Sequence, residues 1–172
     1  MAGRMSIGSA NVPYVDEFSN LKINDAIRGV AEQAFAPFSE MAEGTDSSQT
    51  IDSGTYAELT GISIDLVVPV PSRVRAHVTV RAENTTYASG DRLRVALFRD
   101  GSEVAGTVQV WEPGAVGEHN TISFSYLQED LLPGTTYTYT VEAKVDPVTS
   151  GVYSVVGTRS NLILTTEGRQ RV

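Results

Sequence analysis

Reaction chemistry needs side chains that ionise, ligate or attack, and this sequence is sparing with them. Its 172 residues include two histidines, His77 and His119, and no cysteine. Without thiols, disulfides, thiolate zinc sites and cysteine nucleophiles are excluded. His77 stands between Arg75 and Thr79 on the polar side of an alternating stretch, and His119 falls in Gly117-Glu118-His119-Asn120, which reads as a loop. No serine sits in the glycine-flanked elbow that would expose it to an imidazole and a carboxylate. Glu129-Asp130 is an acidic pair of chain neighbours, whereas the two carboxyls of a glycosidase come from separated positions. Asp100-Gly101-Ser102-Glu103 offers oxygen ligands without the spacing of a calcium loop, and reads instead as a hairpin turn. A glycine-rich phosphate cradle is missing too. The expectation is a protein that is not an enzyme and uses no metal or cofactor.

What remains are arginines and one tryptophan. The chain is acidic, with 13 basic against 21 acidic side chains, a net charge of −8 that speaks against nucleic acid as a partner. Against that background Arg73, Arg75 and Arg81 share the outward side of one alternating stretch with His77. Arg92 and Arg94 share the outward side of the next, and Arg99 stands before the turn. Such a group reads as a solvated face, as ion pairs across a subunit contact with acids such as Asp65 or Glu142, or as a face for an anionic glycan or an acidic partner. Trp111, followed by Glu112-Pro113-Gly114, closes a strand beside a loop. It reads as the edge of a core or as a stacking platform for a sugar.

The elements that must position these residues are strands. Val74, Ala76, Val78 and Val80 alternate with Arg73, Arg75, His77, Thr79 and Arg81, the period of a half-buried strand. Ile62 to Val70 and Leu93 to Leu97 repeat it. Asp100-Gly101 supplies a positive-φ turn, and Val104, Val108 and Val110 lie on the return. Ile122, Phe124 and Tyr126 come next, then Tyr137 to Val145 with a turn expected at Gln128–Leu132, then short runs at Val152–Val156 and Leu162–Leu164. With a first strand near Thr55–Leu59, about nine short strands are predicted, with no helical pattern among them. That spacing indicates an all-β, antiparallel sandwich over residues 47–172. Apolar residues at 41% and charged ones at 20% fit a folded domain of this size.

Residues 1–46 differ, with three basic and seven acidic side chains. Ile23, Ile27, Val30 and Ala34 recur at helical spacing from Asn20 to Phe35, Pro37 would stop the helix, and Gly44-Thr45-Asp46-Ser47-Ser48 reads as a linker. One apolar stripe cannot bury itself, so it packs on the sandwich, on copies of itself or on a partner. Ile23, Ile27, Val30, Ala34 and Phe35 are the candidate anchoring residues. The first residues form no apolar run of signal-peptide length, and Leu66–Pro71, the longest apolar stretch, is too short to span a bilayer. No membrane insertion is expected.

The order Gly54-Thr55-Tyr56-Ala57-Glu58-Leu59, Gly61-Ile62-Ser63-Ile64, Leu132-Pro133-Gly134-Thr135-Thr136-Tyr137 and Ser160-Asn161-Leu162-Ile163-Leu164 resembles the tumour-necrosis-factor-like jelly-roll modules of bacteriophage fibres, head spikes and capsid decoration proteins. Leu-Pro-Gly-Thr-Thr-Tyr occurs also in fibronectin type III sandwiches, so both topologies stay open here. The resemblance implies a homotrimer on the virion surface, assembled in the bacterial host cytoplasm and joined by its N-terminal arm to other virion proteins of capsid or tail. The alternative it allows is a receptor- or glycan-binding module of a short tail fibre, with Trp111 and the arginines touching a host surface glycan.

Overall fold

The computed structural model describes residues 39–68 and 72–168. Eleven strands are found there: β1 (Ser39–Glu43), β2 (Gln49–Ile51), β3 (Ala57–Val67), β4 (Ser72–Thr86), β5 (Leu93–Arg99), β6 (Ser102–Glu103), β7 (Gln109–Trp111), β8 (His119–Leu131), β9 (Thr136–Val145), β10 (Val152–Val155) and β11 (Asn161–Gly168). A single 3-10 turn, Gly157–Arg159, separates the last two.

All pairings are antiparallel and fall into two sheets. In the first, β4 is long enough to pair β8 along one side and, on the other, β11 at its start and β10 at its end. β1 then pairs β11, and β2 pairs β10. In the second, β9 lies between β3 and β5, and β5 takes β6 and β7 on its far side. The pairs β1·β11, β3·β9, β4·β8 and β5·β7 are nested in sequence, first with last and inward, and alternate between the sheets. That nesting is a long hairpin rolled into a sandwich, the jelly roll, and it decides against the fibronectin-like alternative.

The core follows from alternation. Val74, Ala76, Val78 and Val80 of β4 are buried, as are Leu162 and Leu164 of β11. They share one cluster with Ile62, Ile64 and Leu66 of β3, Leu93, Val95 and Leu97 of β5 and Tyr139, Val141 and Ala143 of β9. Residues of period two thus meet across the space between sheets, where each buried aliphatic side chain contributes roughly 1.5–3 kcal/mol. The hairpin at Asp100-Gly101 forms as the sequence indicates, with φ of 51° and 75°.

Several expectations need correction. Gly44–Ser48 is not a loose linker: Gly44 N–H donates to Ser160 O at 3.0 Å and Thr45 N–H to Thr60 O at 3.2 Å. Among the described residues the sheet already includes Ser39–Glu43, ahead of residue 47, because β1 pairs along β11. Thr55–Leu59 and Ile62–Val70 are not two strands. β3 runs through Gly61, whose φ of +83° lets the strand bulge and keep its pairing with β9 on both sides. The turn expected at Gln128–Leu132 is strand as far as Leu131. Ile23, Ile27, Val30, Ala34 and Phe35, with the expected helix, lie outside the described residues.

Candidate functional site

The outward side chains of the first sheet can be placed row by row from its register. One row runs Met41, Ile163, His77, Ser125, since these residues stand opposite one another on β1, β11, β4 and β8. The row on one side is Ser39, Thr165, Arg75, Leu127, and on the other Glu43, Asn161, Thr79, Ser123. Hydroxyls and the imidazole satisfy one another within the face: His77 Nδ1 and Ser125 Oγ are 2.7 Å apart, Thr79 Oγ1 and Ser123 Oγ 3.5 Å, and Ser39 Oγ and Thr165 Oγ1 3.4 Å. Charge stands towards the ends of β4, where Arg73 pairs Glu129 at 3.2 Å and Arg81 donates to Thr121 Oγ1 at 3.3 Å. Within this frame Met41 is 59% exposed. The result is a face whose centre combines Met41 and Ile163 with hydroxyls and an imidazole that bond one another, flanked by the arginines of β4.

The arginines do not form one face. Arg73, Arg75 and Arg81 lie on β4 of the first sheet, whereas Arg92 and Arg94 lie at the start of β5 in the second. The chain crosses between sheets at residues 87–92, so strands that are neighbours in sequence are not neighbours in space. Arg92 meets Glu112 at 2.7 Å and Arg94 meets Asp146 at 2.8 Å, both pairs partly exposed. Arg99 stacks over Tyr137 with 5.5 Å to the ring centroid. Asp65 and Glu142 serve threonines instead, accepting from Thr138 Oγ1 at 2.6 Å and Thr140 Oγ1 at 3.2 Å. Trp111 packs against the core with its ring 5.7 Å from that of Tyr153, edge to face, so the ring is half-buried at a sandwich rim. His119 Nδ1 lies 3.9 Å from Glu83.

One site went unnoticed in the sequence. Asp91 is buried in the loop before β5, and its carboxylate accepts the N–H groups of Thr149, Ser150 and Gly151 at 2.7–3.1 Å and the Thr149 hydroxyl at 2.9 Å. Burial alone would push its pKa up, but the Thr149 and Gly151 amides, with the Thr149 hydroxyl and the Ser150 amide, hold it below the ordinary carboxylate value. A Cβ on Gly151 would stand 2.8 Å from the Asp91 oxygen, so the close approach needs glycine. Tyr153 donates its hydroxyl to Asp91 O at 2.8 Å, and burial pushes that phenol up to about 12. This is a structural clamp between two loops at one end of the sandwich. An aspartate after Gly90 looks in sequence like any turn residue; Thr149-Ser150-Gly151, three small residues in a row, was the available hint.

Beside β8 the two sheets leave a shallow cleft of about 220 Å³, lined by Arg99, Glu103 and Val104 from the β5–β6 hairpin and by Tyr126 and Gln128 from β8. Among the described residues no group of three or more His, Asp or Glu side chains could hold a metal ion, and no helix is long and apolar enough to cross a membrane.

No known family model matches this chain, and neither does any curated protein sequence. Solved structures do. The chain is similar to the Eiger tumour necrosis factor of S. frugiperda at a TM-score of 0.49 and 9% identity, covering 79% of this chain and 96% of that one. It is also similar to a protein of the T13 particle of infectious bursal disease virus (TM-score 0.45, 13% identity, 77% of this chain covered). A third likeness is to the Gt strain of the same virus (0.43, 13%, 77%). This chain spans about a third of the length of those viral proteins, at 35% and 36%.

Proposed function

We propose that this protein is a non-enzymatic structural component of a phage-like virion, a homotrimer on the particle surface that attaches through its N-terminal arm. The observation that carries the reading is the outward face of the first sheet, where Met41, Ile163 and His77 lie among hydroxyls that already satisfy one another. A face of this kind gains by meeting protein, since its polar groups keep their partners when water leaves. The arm supplies attachment, with Ile23, Ile27, Val30, Ala34 and Phe35 as the apolar stripe and capsid or tail proteins as its partners. Trp111, Arg92 and Arg94 are engaged by partners within the chain. Ile163→Lys places a charge at the centre of the face and is expected to yield a folded chain that no longer forms trimers. A chain starting at Ser39, which keeps the whole sheet, is expected to fold and to stay off particles. Incorporation of that truncated chain would sink the anchoring role.

A second reading, recognition of a host surface glycan, is favoured by one feature. Tyr126, Gln128 and Arg99 line the cleft beside β8 and offer a ring, an amide and a guanidinium to a sugar. Glycan-array binding that disappears in Tyr126→Ala would establish it, and silence of the unmodified chain on such an array would remove it.

A further inference from the structure

The free edges of the two sheets are not alike. β6 and β7 are two and three residues long, and β2 is three. β1 has five residues and carries Glu40 and Glu43. β3 is interrupted at Gly61, and Gln49 plugs its edge there, donating to Glu58 O and accepting from Thr60 N–H at 2.8 Å each. Its remainder carries Asp65. Short length, bulges, charges and plugs are the means by which proteins keep sheet edges from pairing with other chains. β8 shows none of them along Thr121–Gln128. It is 13 residues long, pairs β4 alone among the described residues, and reads Thr-Ile-Ser-Phe-Ser-Tyr-Leu-Gln over Thr121–Gln128 with no glycine, proline or charge.

Which of its backbone groups are open follows from the ladder. Asn84 N–H donates to Glu118 O, and Gly117 N–H donates to Asn84 O, so even-numbered residues of β4 direct their backbone toward β8. The register Val80↔Ile122, Val78↔Phe124, Ala76↔Tyr126 and Val74↔Gln128 carries this parity down the strand. Odd-numbered residues of β8 therefore point away from β4. At the two ends the strand caps itself: Asn120 Oδ1 accepts the Thr121 N–H at 2.8 Å, and Gln128 Nε2 donates to Glu129 O at 3.2 Å. Between these caps no strand among the described residues meets the outward backbone N–H and C=O groups of Ser123, Ser125 and Leu127.

We propose that this edge pairs with the same edge of a second copy, the two β8 strands running antiparallel about a two-fold axis at Ser125. The self-pairing is favoured by what the register then brings together. Ser123 of one copy faces Leu127 of the other, and Phe124 faces Tyr126, so the two half-buried aromatics on the inner side of each β8 cover one another. Thr121, with Arg81 on its hydroxyl, faces Glu129, which holds Arg73 of its own chain, so an arginine stands near a carboxylate at each end of the pairing. The contact lies along the sheet edge, not its face, and goes beyond the trimer reading by joining copies that the three-fold face does not.

The absence of cysteine makes the register directly testable. Chains carrying Ser123→Cys and chains carrying Leu127→Cys are mixed under mild oxidation. Directly opposed residues of an antiparallel pair are at a spacing that a disulfide spans. A covalent dimer is expected in the mixture and not with either chain alone. Ser125→Pro in both chains is expected to abolish it while leaving the β4 ladder intact, because the lost N–H is one that points outward. A mixture that gives no dimer, or a dimer that survives the proline, overturns the proposal. Hydrogen exchange of the unmodified chain gives a check that needs no variant. The Ser123, Ser125 and Leu127 amides are expected to slow as protein concentration rises, and exchange that stays fast and independent of concentration overturns the pairing.

Discussion

Asp91 shows how much one side chain can hold in a sandwich this small. Its carboxylate gathers three backbone amides and a hydroxyl from residues 149–151, of which the Gly151 amide is buried and the others partly so. Asp91→Ala is expected to destabilise by about 1–3 kcal/mol, as removal of a buried charged acceptor from one buried and several partly buried donors does. The sign of its pH dependence follows from its depressed pKa. A carboxyl that titrates lower in the folded chain contributes fully above the unfolded value near 3.9, and the contribution is lost as pH falls through the folded value. Acid denaturation of Asp91→Asn, followed by circular dichroism, should accordingly show a weaker loss of stability below about pH 4 than the unmodified chain. At the other close contact, a Cβ on Gly157 would stand 2.5 Å from Asp46 O and one on Gly44 2.6 Å from Gly157 Cα. Gly157→Ala is expected to cost about 1–3 kcal/mol in chemical denaturation, since backbone on both sides must shift. None of this could be read from the residues alone. A glycine or an aspartate in a turn carries no mark of which distant backbone it touches.

At the level of elements, legibility tracked length and alternation. β4 was readable because Val74, Ala76, Val78 and Val80 are separated by arginines, histidine and threonine, and a one-residue slip would bury those charges. Asp100-Gly101 was readable because the turn needs positive φ at both residues. β1 was not, since Ser-Glu-Met-Ala-Glu has no apolar alternation; it is strand because β11 offers five residues of edge to pair with. β2, β6 and β7 are too short to have a period at all. The spatial separation of Arg73, Arg75 and Arg81 from Arg92 and Arg94 is not legible, because sequence does not say that β4 and β5 belong to different sheets. If β1 contributes as a sheet member, a chain beginning at Gly44 should melt about 5–10 °C below one beginning at Ser39 in calorimetry. Equal melting points would mean that β1 is a passenger.

For the whole molecule the nested pairing settles the fold, and the outward face of the first sheet frames what the fold is for. A jelly roll places its two widest surfaces on opposite sides. Here one bears ion pairs and threonine-bound carboxylates, and the other, beside its own Arg73–Glu129 pair, bears hydroxyls closed on one another around Met41, Ile163 and His77. The second surface is the one on which assembly costs least, and the open edge of β8 borders it. Assembly is what these surfaces predict, and light scattering of the 172-residue chain reads it. Three copies of the 18.5 kDa chain give about 56 kDa at low concentration, rising toward twice that mass as β8 edges pair. A species that stays at the mass of one chain, or stops at two, would contradict it.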